Sequence, residues 1–271
     1  MITAALRRFV LTPLSVQYHR RRAIDWFVGR ARTPAERRTR QTLVQRFRRI
    51  HAQIHCAHSE RELLLMADEL LTTPVKGCLV ELGCYKGGST AKLSLVAQVT
   101  GRTLVVCDSF EGLPEPDSRD QVHHHMRGEE LRYTKGLYSG TLDEVRANIR
   151  QYGVFEACQF VKGYFSDTLP TLQVDPCFVF MDVDLIASAR DGLRCLWPRL
   201  RPMGRFYTHE VSIADFLQGI MDPRWWHETL GQCPPMLIGS GYGCGIGAEC
   251  LGYFEKTPAL VPSVRQEAVV P

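Results

Sequence analysis

The ten cysteines contain no Cys-x-x-Cys pair, so the ligand spacing of a structural zinc site is missing. Cys78, Cys107, Cys177 and Cys195 fall inside apolar runs, where a free thiol behaves as a small hydrophobe. No apolar run approaches the roughly 20 residues of a membrane-spanning helix. The N-terminus lacks a signal-peptide core followed by a small-residue cleavage site, so a cytoplasmic chain without a membrane span is expected. No internal repeat is found. Lysine is absent from the first 50 residues, which carry 13 Arg against only Asp25 and Glu36. Because the whole chain is only +4, the remainder is net acidic. Such an arm suits acidic lipid or an acidic partner surface, or packs on its own domain or on a second subunit. It has no base-stacking aromatics at regular spacing, so nucleic-acid binding is not expected.

What is present is a chain of 271 residues, 45% hydrophobic, long enough to bury the core of one α/β domain with extensions. It is organised around Lys76-Gly-Cys-Leu-Val-Glu-Leu-Gly-Cys-Tyr-Lys-Gly-Gly-Ser-Thr90. An apolar run ends at Glu81, breaks at Gly83, Gly87 and Gly88, and gives way to a helical pattern. Glycines serve where φ is positive or a ligand approaches the backbone closely, and amides at a helix start favour an anionic group. The turn is neither the Gly-x-Gly-x-x-Gly of a dinucleotide fold nor the Gly-Lys-Ser/Thr of a P-loop. A second acid, Asp108, closes the next apolar run 20 residues past Gly88, the spacing at which a carboxylate grips ribose hydroxyls. The combination suits a nucleoside-type cofactor.

Residues 1–32 give no clear period. Thr33-Pro-Ala-Glu36 and Ser59-Glu-Arg-Glu62 read as helix starts with capping boxes, followed by apolar residues at helical spacing. From residue 78 onward, strand-like runs (78–82, 103–107, 159–162, 177–182, 205–209) alternate with helical patterns (90–99, 141–152, 188–196). This alternation predicts a doubly wound, mostly parallel sheet. Runs at 236–238 and 249–254 predict two further strands around the glycine-rich stretch 239–247. The connection from Asp108 to Thr141 is long enough to be a functional lid. It holds His123, His124 and His125, which cannot all face one ion from an extended segment.

Several blocks in order, Glu-Leu-Gly-Cys-Tyr-Lys-Gly-Gly-Ser89, Asp-Ser-Phe-Glu-Gly-Leu-Pro114, Val-Arg-Ala-Asn-Ile-Arg-Gln-Tyr-Gly153, Val-Lys-Gly-Tyr-Phe-Ser-Asp-Thr-Leu-Pro170 and Met-Asp-Val-Asp-Leu185, resemble the successive motifs of the macrocin O-methyltransferase family. Its members are class I S-adenosylmethionine enzymes that methylate sugar hydroxyls of macrolides and related natural products. The resemblance implies a Rossmann-like, seven-stranded sheet with N-terminal helices. Residues 1–58 are then a basic helical arm and residues 59–271 the methyltransferase domain. The helices before the first strand are candidates for a lid, for a dimer contact, as related enzymes often associate through N-terminal helices, or for plain covering of the core, and a homo-oligomer is expected. It further implies that Glu81, Gly83, Gly87 and Ser89 line the methionine end of S-adenosylmethionine and that Asp108 holds the ribose diol with Ser109 beside it. Gly163, Tyr164, Phe165 and Ser166 would border the adenine.

The same resemblance implies a magnesium ion beside the acceptor hydroxyl, held by Asp182 and by an Asp-Asp pair after the next strand. At the matching positions stand His209 and Glu210. Imidazole in place of a carboxylate weakens magnesium and shifts preference to manganese, iron or zinc. Three readings stay open: a site of Asp182, His209 and Glu210 retuned to another divalent metal, a metal-free site with His209 as base, or a site whose chemistry has been lost. Asp184 is expected to cap the following helix or orient a neighbour. The lid and residues 222–235, with Trp225 and Trp226, are expected to shape the acceptor pocket, unless those tryptophans are core. The function expected is S-adenosylmethionine-dependent O-methylation of a hydroxylated small molecule such as a sugar, with Asp182 and His209 catalytic. The alternative is a non-catalytic relative that keeps the fold as a binding or scaffolding module; an NAD-linked oxidoreductase is disfavoured by its missing glycine pattern.

Overall fold

The computed structural model of the protein describes residues 12–239, 244 and 250–258. Eleven residues of the basic arm and most of the glycine-rich stretch expected at 239–247 lie outside the described residues. Among the described residues three helices come first, α1 (Thr12–Gly29), α2 (Pro34–Gln53) and α3 (Glu60–Thr72). Both expected caps form: Thr33 accepts the Glu36 amide, and Ser59 and Glu62 exchange a reciprocal capping box, satisfying amides that a helix start leaves unpaired. The chain continues through β1 (Cys78–Leu82), α4 (Gly88–Thr100) and β2 (Leu104–Asp108). A hairpin of β3 (Val122–His124) and β4 (Glu130–Arg132) follows, then α5 (Leu142–Tyr152), β5 (Cys158–Lys162) and the single turn α6 (Phe165–Thr168). Last come β6 (Pro176–Met181), α7 (Ile186–Leu196), β7 (Arg205–Thr208), α8 (Ala214–Ile220), α9 (Pro223–Leu230), β8 (Leu237–Ile238) and β9 (Gly252–Glu255).

Seven strands form one sheet in the order β5-β2-β1-β6-β7-β9-β8. β9 runs antiparallel to both neighbours, and the other pairings are parallel. This is the doubly wound, mostly parallel sheet the alternating pattern predicts. Successive strand residues face opposite sides, so Phe178 and Phe180 enter the core under α1 to α4, while Val179 and Met181 enter the one under α7 to α9. The chain order reverses between β1 and β6, the topological switch point at which open α/β sheets bind ligands.

The boundary expected between residues 58 and 59 is not a break in the core. Phe27 of α1 and Phe47 of α2 share one buried cluster with Leu63 of α3 and Leu93 of α4. Arginines of the basic segment pair with α3: Arg20 and Arg48 with Glu60, Arg30 and Arg40 with Asp68. No described helix is long and apolar enough to cross a membrane.

The lid is anchored at several points. Asp120 accepts the Ile186 and Ala187 amides at 2.7 and 3.0 Å and thereby caps α7, the task the sequence suggests for Asp184. His123 is fully buried with its Nε2 3.0 Å from Asp120. His124 contacts Asp215 of α8 at 2.9 Å, and His125 bridges to Ile213. The three histidines therefore hold the hairpin to α7 and α8. Trp226 is also structural: it is fully buried, and its Nε1 donates to the Ile220 carbonyl at 2.7 Å. Neither it nor Trp225 reaches the cavity described next.

Candidate active site

A cavity of about 450 Å³ opens above the carboxyl ends of the parallel strands, within the roughly 300–1,000 Å³ of small-molecule sites. Backbone register places its side chains. Gly83 follows β1 and donates to the Cys107 carbonyl at 3.0 Å; Gly163 follows β5 and donates to the Asp108 carbonyl at 3.0 Å. Asp182 follows β6 and donates to the Leu82 carbonyl at 2.9 Å; His209 follows β7 and donates to the Met181 carbonyl at 3.1 Å. Each residue is the first past its strand and is still tied to the neighbouring one.

On one side of β1 the cavity is bordered by Asp108, Ser109, Gly163, Tyr164, Phe165 and Ser166. Asp108 accepts the Cys84 amide at 2.7 Å and the Phe110 amide at 2.6 Å, which fixes its carboxylate and leaves further lone pairs for a diol. Ser109 spends its hydroxyl on the Gly112 carbonyl at 2.7 Å, holding the first lid turn. Gly83 has φ +81°, and a Cβ there would stand 2.0 Å from the Asp182 carbonyl oxygen. Gly87, also left-handed at φ +80°, starts α4. Glu81, Gly87 and Ser89 lie behind the cavity wall rather than on it. Glu81 is fully buried and accepts the Thr90 hydroxyl at 2.6 Å, while its Oε1 has no protein partner. Burial lifts its carboxyl to about 7. A fixed carboxylate, a glycine-lined cradle and two aromatic side chains fit the ribose and adenine of S-adenosylmethionine.

Across β1 stand Asp182 and His209, joined by a residue the sequence reading missed. His58, directly before the α3 cap, is 4% exposed, and its Nε2 lies 2.8 Å from Asp182 Oδ2. The contact is close, yet the ring nitrogen is not aligned for a hydrogen bond. His209 Nδ1 lies 3.6 Å from Asp182 Oδ1, and its Nε2 lies 3.4 Å from Glu62 Oε2. Burial opposes charge on His58, but Asp182 outweighs it and lifts the ring to about 9. His209 is raised well above the usual imidazole value; burial opposes, and Asp182 and then Glu62 prevail. Burial pushes Asp182 up, while His58 and His209 pull it far below the ordinary carboxylate range. Glu62 is likewise held at about 2 against burial, chiefly by His209. Without a metal, two cationic rings face two carboxylates. The only hint of His58 in the sequence is Cys56-x-His58 abutting a capping box.

Glu210 does not join this group. Its carboxylate is 2% exposed and accepts the Val183 and Asp184 amides at 2.8 and 3.2 Å and the Thr208 hydroxyl. Asp184 takes a left-handed backbone, φ +61°, and borders the cavity; burial, with Asp182 and Glu210 nearby, pushes its carboxyl well up. Among the described residues, the donors that converge are His58, Asp182 and His209, with ligand atoms within 4.8 Å of one another, and a second set of Glu62, His209 and Cys250. Magnesium requires an octahedron of hard oxygens. One carboxylate between two imidazoles does not fit it.

The chain is 37% identical over 163 residues to 8-demethyl-8-(2,3-dimethoxy-alpha-L-rhamnosyl)-tetracenomycin-C 4'-O-methyltransferase of Streptomyces olivaceus, covering 58% of this chain and 61% of that protein. It is 33% identical over 138 residues to demethyldecarbamoylnovobiocin O-methyltransferase of Streptomyces niveus, covering 49% and 52%. The chain thus spans between half and two thirds of the length of these relatives. The solved structure of the O-methyltransferase NovP superposes with a TM-score of 0.58 at 23% identity, over 72% of this chain and 78% of that one. CalS11, a calicheamicin methyltransferase, gives 0.53 at 17% identity, over 83% and 94%. Both share the Rossmann-like class I methyltransferase fold. The family model of macrocin O-methyltransferase matches residues 21–219, from α1 through the glycine turn and every strand end of the cavity to α8, and the chain belongs to that family.

Proposed function

We propose that the protein is an S-adenosylmethionine-dependent O-methyltransferase acting on a hydroxyl of a small molecule, a sugar of a secondary metabolite. The observation that carries this reading is that Asp108 and the Asp182–His209 pair border one cavity from strands on opposite sides of β1. Asp108 would hold the ribose, Gly163 to Ser166 the adenine, and Gly83 the backbone approach to the sulfonium end, with Glu81, Gly87 and Ser89 shaping the turn from behind. The bound donor supplies an already activated methyl group. What remains for the chain is to align the acceptor oxygen and to receive its proton.

Asp182 and His209 border the acceptor end of the cavity, where the pair would orient the hydroxyl and take its proton; Asp182 alone is a weak base, because His58 and His209 hold it far below the ordinary carboxylate range. His209 Nδ1, 3.6 Å from Asp182 Oδ1, would orient Asp182 or the acceptor. The name of the tetracenomycin relative, with its rhamnosyl 4'-oxygen, supports a sugar acceptor. A cytoplasmic homodimer belongs to the same reading. The test is transfer of a labelled methyl from S-adenosylmethionine to a panel of deoxysugar glycosides. Label on oxygen with matching release of S-adenosylhomocysteine supports it. Donor binding without transfer to any acceptor would instead mark a non-catalytic binding module.

A further inference from the structure

We propose that His58 Nε2, a carboxylate oxygen of Asp182 and His209 Nδ1 form a two-imidazole, one-carboxylate site for a first-row transition cation of the zinc or iron type, and not for magnesium. The three ligands come from separate elements, the turn before α3 and the ends of β6 and β7, yet their ligand atoms lie within 4.8 Å of one another. Ligands about 2.0–2.1 Å from a tetrahedral ion stand roughly 3.3 Å apart. His58 Nε2 lies 2.8 Å from Asp182 Oδ2 and His209 Nδ1 3.6 Å from Asp182 Oδ1, one imidazole beside each carboxylate oxygen and both near that spacing. Two imidazoles with one carboxylate are the donor set that transition cations prefer and magnesium does not.

The outer layer points the same way. A metal-bound histidine engages its other nitrogen with a fixed partner, which sets the ring's orientation and tautomer. His58 Nδ1 lies 3.4 Å from Cys56 Sγ, which in turn lies 3.5 Å from Nζ of the buried Lys92. His209 Nε2 lies 3.4 Å from Glu62 Oε2, and that oxygen is pinned by the Ser59 amide and hydroxyl at 2.7 and 2.9 Å. His58 Nε2 is buried without an aligned hydrogen bond, and a cation binding there displaces the proton that the metal-free ring carries toward Asp182. Asp182 and His209 border the cavity, so coordination positions remain open to a ligand there. That such a cation would lower the pKa of an acceptor hydroxyl rests on the functional reading above; its binding does not.

The test is a titration of the full chain, prepared without a polyhistidine tag and stripped with chelator. Cobalt(II) should bind one-to-one with the visible ligand-field bands of a four- or five-coordinate ion, zinc should displace it, and magnesium in large excess should not. His58→Gln should weaken zinc at least about a hundredfold, and Glu62→Gln by about 10–100-fold. A melting curve of each variant in chelator reports its fold, and the wild-type titration decides even if a variant fails to fold. No cobalt bands and no zinc binding in the wild type would overturn the proposal, as would displacement by magnesium or unchanged affinity in folded His58→Gln. Calorimetry with S-adenosylhomocysteine on the stripped protein reads the donor seat separately, so failure of the metal site is distinct from failure of the functional reading.

Discussion

Gly83 and Asp182 are in backbone contact across β1 and β6: a Cβ on Gly83 would lie 2.0 Å from the Asp182 carbonyl oxygen, and Gly83 takes φ +81°. The turn proposed to seat the methyl donor and the residue proposed to face the acceptor are thus one mechanical unit at the switch point of the sheet. Gly83→Ala should both strain the left-handed backbone and push Asp182 away. Urea denaturation should show a loss of at least about 2 kcal/mol, and both S-adenosylhomocysteine affinity and methyl transfer should fall in whatever folds.

Asp120→Ala should loosen the lid. It removes the acceptor for the two α7 amides and strips buried His123 of its partner. The expected cost is about 2–3 kcal/mol, read by urea denaturation. Limited proteolysis should cut within residues 115–135 sooner than in the wild type, and the acceptor KM should rise more than that of the donor.

Glu81 gives a pH dependence with a defined sign. Its folded-state pKa stands at about 7, against an ordinary 4.5, because burial disfavours the charge. The folded chain therefore binds more protons than the unfolded chain between those values, and this group's contribution to stability falls as pH rises from about 4.5 to about 7 and is flat outside that window. Glu81→Gln keeps an acceptor for the Thr90 hydroxyl and removes the slope. Relative to the wild type it should gain up to about 3 kcal/mol at pH 8 over its difference at pH 4, measured by urea denaturation at both values.

Local chemistry made much of this legible in the sequence. The cap at Thr33, the capping box at Ser59, the strand ends at Glu81 and Asp108, and the alternation after residue 78 each follow from near-neighbour rules, and the described elements match them within a few residues; at Thr33 the box stays half made, because Glu36 accepts the Arg32 amide instead. What escaped depends on docking between distant segments. α1 carries its apolar side chains, Ala23 and Phe27 among them, in so arginine-rich a context that no period stands out. His58 has no periodic partner and reaches Asp182 only because α3 lies on the face of the sheet beside β6. Glu210 looks like a ligand beside His209, but the amides of Val183 and Asp184 capture it. Asp120 acts as a helix cap for α7 from across the lid, which no local signature announces.

The central claim, that the cavity seats an adenosyl methyl donor through the carboxylate at the end of β2, is tested most directly by calorimetric titration of S-adenosylhomocysteine into the wild type and Asp108→Asn. One binding site per chain is predicted in the wild type. At least a tenfold weaker one is predicted in the variant, in keeping with loss of a charged hydrogen-bond acceptor worth about 1.5–3 kcal/mol, with the melting temperature little changed. No binding to the wild type, or equal affinity in the two proteins, would contradict it.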